Sequence, residues 1–214
     1  MKVGPIVSAI IISFLACGVA SARHLDKSSS PEDLRAAADY LNSIKSPTAE
    51  QYYTKGKIYC WLKDWKAGSD AMTRAIKLKP TANAYGLRAL CYRAMGKFAE
   101  ALQDCNKATA LGDKSSDLVS LRGAARLGLK DYIGALRDAS TAINMNSQDA
   151  NAYYVKGAAE FWLDRPNESI LSLSKSIELD SSDRSTFLTR SQVYKHLGNT
   201  AASKADLAIA ESMK

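Results

Sequence analysis

The sequence predicts an all-α fold, a solenoid of five helix–turn–helix units preceded by one extra helix. Three observations predict it. A pattern of small and apolar residues recurs every 33 or 34 positions from Ala49 onward. Within each copy the apolar positions fall at helical spacing on two stretches, parted by a turn such as Gly96-Lys97. The copies also stay in register slot by slot. One small slot reads Gly56, Ala89, Gly123, Gly157, Ser191. A second reads Gly68, Ala101, Ala135, Ser169, Ser203, and a third Ala75, Ala108, Ala142, Ser176, Ala210. An aromatic slot after the turn reads Trp65, Phe98, Tyr132, then Pro166 and Thr200. Gly or Ala at a helix crossing lets two backbones approach, and the rings supply buried area around them. One hairpin cannot bury its apolar stripe alone, so stability has to come from stacked neighbours.

The units are 49–81, 82–115, 116–149, 150–183 and 184–214, about three quarters of the chain. Their length and slot pattern resemble the tetratricopeptide repeat family. The resemblance implies a right-handed superhelical solenoid with a concave groove, and a function as a binding module or scaffold for a peptide segment or helix of another protein. Some members of that family grip a C-terminal carboxylate with Lys, Asn and Arg from successive first helices. At the matching places this chain has Tyr53 and Lys57, Leu87, then Asp117 and Leu121, so that clamp is not expected.

The extra segments come first in the chain. Met1–Ala22 has Lys2, an apolar run over Ile6–Val19 and the small residues Ala20-Ser21-Ala22, the pattern of a secretory signal peptide over 1–22. The expectation is export to the periplasm or cell envelope, or to the extracellular space. Membrane attachment would follow only from an uncleaved signal or lipid on Cys17. Polar, Ser-rich 23–30 reads as a flexible linker. Ser30-Pro31-Glu32-Asp33 then has a helix N-cap, a first-turn Pro and two acids at the positive helix end. Leu34, Ala37, Ala38, Leu41 and Ile44 continue at helical spacing, predicting a helix over Pro31–Lys45 within a capping region, 31–48.

The units differ in ways that bear on function. Unit one is aromatic and basic. Unit three carries Gly123 and Gly128 in its first helix, which predicts the softest unit. Unit four restores the aromatics with Tyr154, Phe161 and Trp162, and unit five has the more polar second helix expected of a solenoid end. If Leu207, Ile209 and Met213 were left uncovered there, the array could self-associate through its ends, which is the alternative function.

No enzymatic constellation is present. The two histidines, His24 and His196, are too few for a triad or a multi-histidine metal site, and there is no phosphate loop or dinucleotide fingerprint. No cofactor, metal or catalytic residue is expected. The net charge of +7 is spread as basic, basic, neutral, acidic and basic units, without the sustained basic tract that nucleic-acid binding needs. Cys60, Cys91 and Cys105 would read as small hydrophobes, with a Cys91–Cys105 bridge conceivable because both lie in one hairpin.

The candidate partner-binding residues are Tyr53, Lys57, Trp61, Arg93, Tyr154, Phe161 and Trp162. All lie on first helices, off the stripe that closes each hairpin. Aromatic and Arg side chains are the types that most often anchor interfaces. Lys57 and Arg93 make the N-terminal half of the expected groove basic, favouring an acidic partner segment.

Overall fold

A computed structural model describes residues 25–213, and every regular element among them is a helix. The expected signal peptide, Cys17 and His24 lie outside the described residues. Helix α1 (Pro31–Ser43) precedes five antiparallel pairs. They are α2 (Ala49–Trp61) with α3 (Trp65–Leu78), α4 (Ala82–Ala94) with α5 (Phe98–Ala110), and α6 (Ser116–Gly128) with α7 (Tyr132–Met145). Then come α8 (Ala150–Trp162) with α9 (Pro166–Leu179), and α10 (Arg184–His196) with α11 (Thr200–Ser212). Each helix packs on its hairpin partner and on the next unit, and the first helices of adjacent units also touch one another. That places α2, α4, α6, α8 and α10 side by side along one wall of the solenoid.

Local chemistry sets the boundaries. Ser30 caps α1, and Thr48 opens α2 with a capping box in which its hydroxyl takes the Gln51 N–H. Asp64, Thr81, Ser115, Asp131, Asp149, Asp183 and Asn199 cap further helices with side-chain oxygens. The turn inside every hairpin holds one residue at positive φ: Lys63, Gly96, Lys130, Asp164 and Gly198. The same conformation recurs at the same slot although only two of the five are glycine.

Residues 25–30 form a turn: Asp26 Oδ1 accepts from Ser28, and Leu25 packs on the apolar cluster of α1. Helix α1 itself ends at Ser43, ahead of Pro47, and seats Leu34, Ala37, Ala38 and Leu41 against Ile58, Tyr59, Trp61 and Leu62. It therefore covers the open face of unit one.

The small slots are helix crossings. Ala89, Ala101, Ala108, Ala135 and Ala142 are fully buried. Where units four and five have Ser instead, each hydroxyl bonds the facing helix: Ser169 Oγ to the Gly157 carbonyl at 2.7 Å, Ser176 Oγ to Ala150 at 2.8 Å, and Ser191 Oγ to Ser203 at 2.9 Å. The glycines of unit three sit at close contacts. A Cβ on Gly128 would fall 2.4 Å from the Phe98 ring, so Gly128 is the seat of unit two's aromatic residue. Replacing Ala108 with Leu should lower stability by about 1–3 kcal/mol through overpacking. Lys107→Ala, at an exposed position beside it, should change stability by less than ~1 kcal/mol. Equal melting shifts for the two would contradict the register.

An ion-pair ladder fastens the hairpins. Arg88 grips Asp104 with two hydrogen bonds of 2.6 and 2.9 Å, Arg122 grips Asp138 at 2.9 and 2.8 Å, and Arg190 grips Asp206 at 2.8 and 2.8 Å. All three carboxylates are buried. Arg88 also donates to Thr73 and Arg190 to Ser174, each on the second helix of the preceding unit. The guanidinium planes thus tie hairpins together as well as closing them. In unit four the ladder is replaced: Lys156 and Ser172 occupy the slots, and Ser172 donates to buried Glu160 at 2.7 Å.

Burial raises the Glu160 carboxyl above its ordinary value, against the opposing pull of Ser172 and Lys156. The folded chain then holds the proton more tightly than the unfolded chain. This contribution to stability is complete below the unfolded value of 4.5 and is lost as pH rises through the folded value. Glu160→Gln should therefore melt higher than the parent at neutral pH, with the gap closing on acidification. A pH-independent gap would show that Glu160 does not titrate with folding.

Unit five ends the described array with Leu207 40% and Ile209 41% exposed on α11, while Met213 is half-buried.

Candidate functional site

The first helices enclose a groove of about 740 Å³ on the N-terminal half of their shared wall. Helix α2 contributes Tyr53, Lys57, Cys60 and Trp61, and α4 contributes Asn83, Gly86, Leu87, Leu90 and Arg93. The far side is Asp117, Leu118, Ser120 and Leu121 on α6, with Asp149 and Asn151 at the start of α8. Its lining alternates apolar surface with a few polar groups, the composition typical of a recognition site.

Four of the seven predicted residues meet here. Tyr53, Lys57 and Trp61 form one stripe of α2 because they are four residues apart. The Lys57 ammonium lies 5.9 Å from the Tyr53 ring centroid and 5.2 Å from that of Trp61, so the lysine is held between two aromatic faces. Burial raises the Tyr53 phenol above its ordinary value, and the ring packs beside Met72, Ile76 and Ala84. Tyr53 is thus both groove lining and part of the joint between units one and two.

Arg93 is the unusual member. Its repeat slot is apolar in the neighbouring units, as Leu127 and Phe161. Among the described residues a guanidinium placed there finds no carboxylate within ion-pair distance, and its Nε is buried with no hydrogen-bond partner. The other buried arginine pairs show what this chain normally does with such a group. Burial alone pushes the Arg93 guanidinium below its ordinary value; Tyr154 and Asp183 oppose that only weakly. A buried donor without an acceptor costs about 1–3 kcal/mol, and it opens onto the groove.

The other three residues lie elsewhere. Tyr154 packs on the joint between units three and four with Ala124, Ala135 and Val155. Trp162, 60% exposed, stacks on Tyr132 with centroids 5.6 Å apart and planes 9° apart. Phe161 lies tilted beside Trp162 and edge-on to His196, both at 5.6 Å. Trp162 and Phe161 thus form a ring cluster with Tyr132 of unit three and His196 of unit five. Trp162 occupies the slot that Gly128 fills in unit three and stacks there on Tyr132, the turn aromatic of the preceding unit.

Two features escaped the sequence reading. The groove is not uniformly basic, because Asp113, Asp117 and Asp149 face Lys57 and Arg93 across it. The Arg–Asp ladder was legible in principle, since each pair is 16 residues apart and the pairs recur at the repeat period. The two cysteines in contact are not Cys91 and Cys105 of one hairpin. Cys91 Sγ lies 3.2 Å from Cys60 Sγ of the preceding unit, whereas Cys105 sits in a separate cluster with Ala89, Ala108 and Leu118. Cys91 is two residues beyond Ala89, which turns it to the opposite side of α4. All three are free thiols, and burial pushes Cys105 up to about 12. Among the described residues no group of three or more His, Cys, Asp and Glu could hold a metal, and no helix is long and apolar enough to cross a membrane.

A solenoid of helical hairpins with an unpartnered cation in its inner wall defines the class: a helical-repeat interaction module. Residues 82–112 match the family model described as Tetratricopeptide repeat. Heat shock protein STI1 of Saccharomyces cerevisiae is 34% identical over 88 residues, which is 40% of this chain and 15% of that protein's length. Among solved structures, TTC0263, a thermophilic TPR protein of Thermus thermophilus, aligns with TM-score 0.66 at 17% identity, over 78% of this chain and 91% of that one. YrrB, described as a TPR protein with an unusual peptide-binding site, aligns with TM-score 0.56 at 18% identity, over 86% and 94%. MamA 41-end from Desulfovibrio magneticus RS-1 gives 0.62 at 15% identity, over 79% and 97%. At these identities the solved structures show the fold. Residues 82–112 match a tetratricopeptide repeat, and the described residues have the fold of a helical-repeat solenoid.

Proposed function

We propose that the groove between α2, α4 and α6 binds a segment of a partner protein that places a carboxylate on Arg93. The observation that carries this reading is the Arg93 Nε, buried in the groove wall with no acceptor among the described residues. A partner Asp or Glu would supply that acceptor and form a charge-assisted bond in a partly desolvated site. The Tyr53–Lys57–Trp61 stripe offers apolar and cationic surface beside it. Asp113, Asp117 and Asp149 on the far side favour a basic residue at the other end of the same segment, which would fix its direction.

The test is photo-crosslinking in cells from position 90, inside the groove, with position 107 on an exposed face as control. Crosslinked peptides should carry Asp or Glu near the site of attachment, and the adduct should disappear in Arg93→Gln. Adducts that lack acids, or that persist undiminished in Arg93→Gln, would reject the reading.

The module is also proposed to act outside the cytosol, in a periplasm or cell envelope or extracellularly, on the pattern of Met1–Ala22. Intact mass of the protein recovered from producing cells decides this: a chain starting at Arg23 supports export, and one keeping Met1–Ala22 opposes it. Leu207 and Ile209 favour a second reading, self-association through the C-terminal unit. Sedimentation at rising concentration separates it from the first, since only self-association makes the size concentration-dependent.

A further inference from the structure

The sulfurs of Cys60 and Cys91 lie 3.2 Å apart, 31 residues apart in sequence, at the joint between α2 and α4. We propose that this pair is a redox site, at which a small disulfide converts the two thiols into a bridge that fastens unit one to unit two. Three features of the joint support it. The two sulfurs are already in contact, so bridging requires a shift of little more than an ångström toward bond length. Gly68 leaves them their space: a Cβ there would stand 3.0 Å from Cys91 Sγ and 3.4 Å from Cys60 Sγ. The pair is also asymmetric. Cys60 lines the groove and retains 8% exposure, while Cys91 has none.

The asymmetry orders the chemistry. The hydrogen bond between the two sulfurs holds the Cys60 thiol below its ordinary value and pushes Cys91 up, and Cys60 is also the one that lines the groove. Cys60, approached through the groove, loses its proton to solvent and attacks one sulfur of the incoming disulfide RSSR. A Cys60–S–S–R mixed disulfide forms and RS⁻ leaves. Cys91 then gives up its proton and attacks Cys60 Sγ, breaking the mixed disulfide and releasing the second RS⁻. The two released thiolates take up the two protons. The protein loses two electrons and two protons, and RSSR becomes two RSH. Cys105 takes no part, because it is fully buried in another cluster away from the groove.

The consequence is mechanical. The bridge lies under the Tyr53–Lys57–Trp61 stripe and fixes α2 against α4, the two helices that carry the cationic side of the groove. It also restricts the unfolded chain, so the oxidised form melts higher than the reduced one.

The experiment uses the full chain carrying Cys17→Ser, treated under native conditions with oxidised glutathione. It is then denatured, alkylated and mapped by mass spectrometry without reduction. The expected product is a Cys60–Cys91 crosslinked peptide two hydrogens lighter than its thiol form, with Cys105 alkylated, and a melting temperature raised by several degrees. Adding Cys91→Ser should trap a glutathione adduct on Cys60, whereas Cys60→Ser should leave Cys91 unmodified. Adding Cys105→Ser should leave the bridge unaffected. A bridge to Cys105, no bridge in protein that remains folded, or an adduct on Cys91 in the Cys60→Ser variant would each overturn the proposal.

Discussion

Replacing Asp138 with Ala should be the most damaging single change in the array. Asp138 is 2% exposed and accepts three charge-assisted hydrogen bonds, from Arg122 Nε and Nη2 and from Arg126 Nη1, all between 2.7 and 2.9 Å. Removing the carboxylate strands two guanidinium groups that are each about three quarters buried or more. Only Arg126 has another carboxylate near it, Asp131 at 3.7 Å. Breaking a buried pair by deleting one partner typically costs about 3–5 kcal/mol, a large share of the total stability of a domain this size. Units two, three and four stack through this hairpin, so the loss spreads along the array. The denaturation midpoint should fall far below the parent's. Asp70→Ala removes a pair whose side chains are 76% and 62% exposed, and should move the midpoint hardly at all. Comparable shifts in the two variants would mean that the buried ladder does not hold the hairpins.

Arg93→Met should have the opposite sign on stability and a large effect on binding. Methionine fills an apolar slot of similar length and brings no polar group into the wall. The desolvated guanidinium and its unbonded Nε are removed, so the variant should gain roughly 1–3 kcal/mol in stability. The same change deletes the donor proposed to hold a partner carboxylate. A hydrogen bond to a charged group contributes about 1.5–3 kcal/mol, so affinity for the acidic segment should fall on the order of tenfold to a hundredfold. A gain in stability coupled to a loss of binding is what a residue kept for recognition gives. A loss of both would make Arg93 a structural arginine instead.

The repeat architecture was legible because it is periodic. Small slots, apolar stripes and turn aromatics each recur along the array, and a pattern repeated at fixed spacing survives the degeneracy of any one copy. The same logic predicted that α1 would cap unit one, from Ser30-Pro31 and the spacing of Leu34, Ala38 and Leu41. What periodicity does not convey is which neighbour a side chain meets across a joint. Trp162 and Trp61 share a slot, yet one lies over Tyr132 and the other lines the groove. Gly128 looked like a weak point in a helix and is a seat for Phe98. Cys91 and Cys105 share a hairpin, yet they point to different joints because their helices present different faces there. The acids opposite Lys57 and Arg93 come from units two and three, so only the stacked solenoid brings them to one groove with α2.

The groove's recognition of a carboxylate through Arg93 is tested most directly by selecting short random peptides against the purified chain and against its Arg93→Met variant. The account predicts that peptides retained by the parent carry Asp or Glu at one recurring position beside an apolar residue. They should bear a basic residue displaced to one side, and the Arg93→Met variant should fail to retain them. Peptides retained equally by both proteins, or retained without any acidic residue, would contradict it.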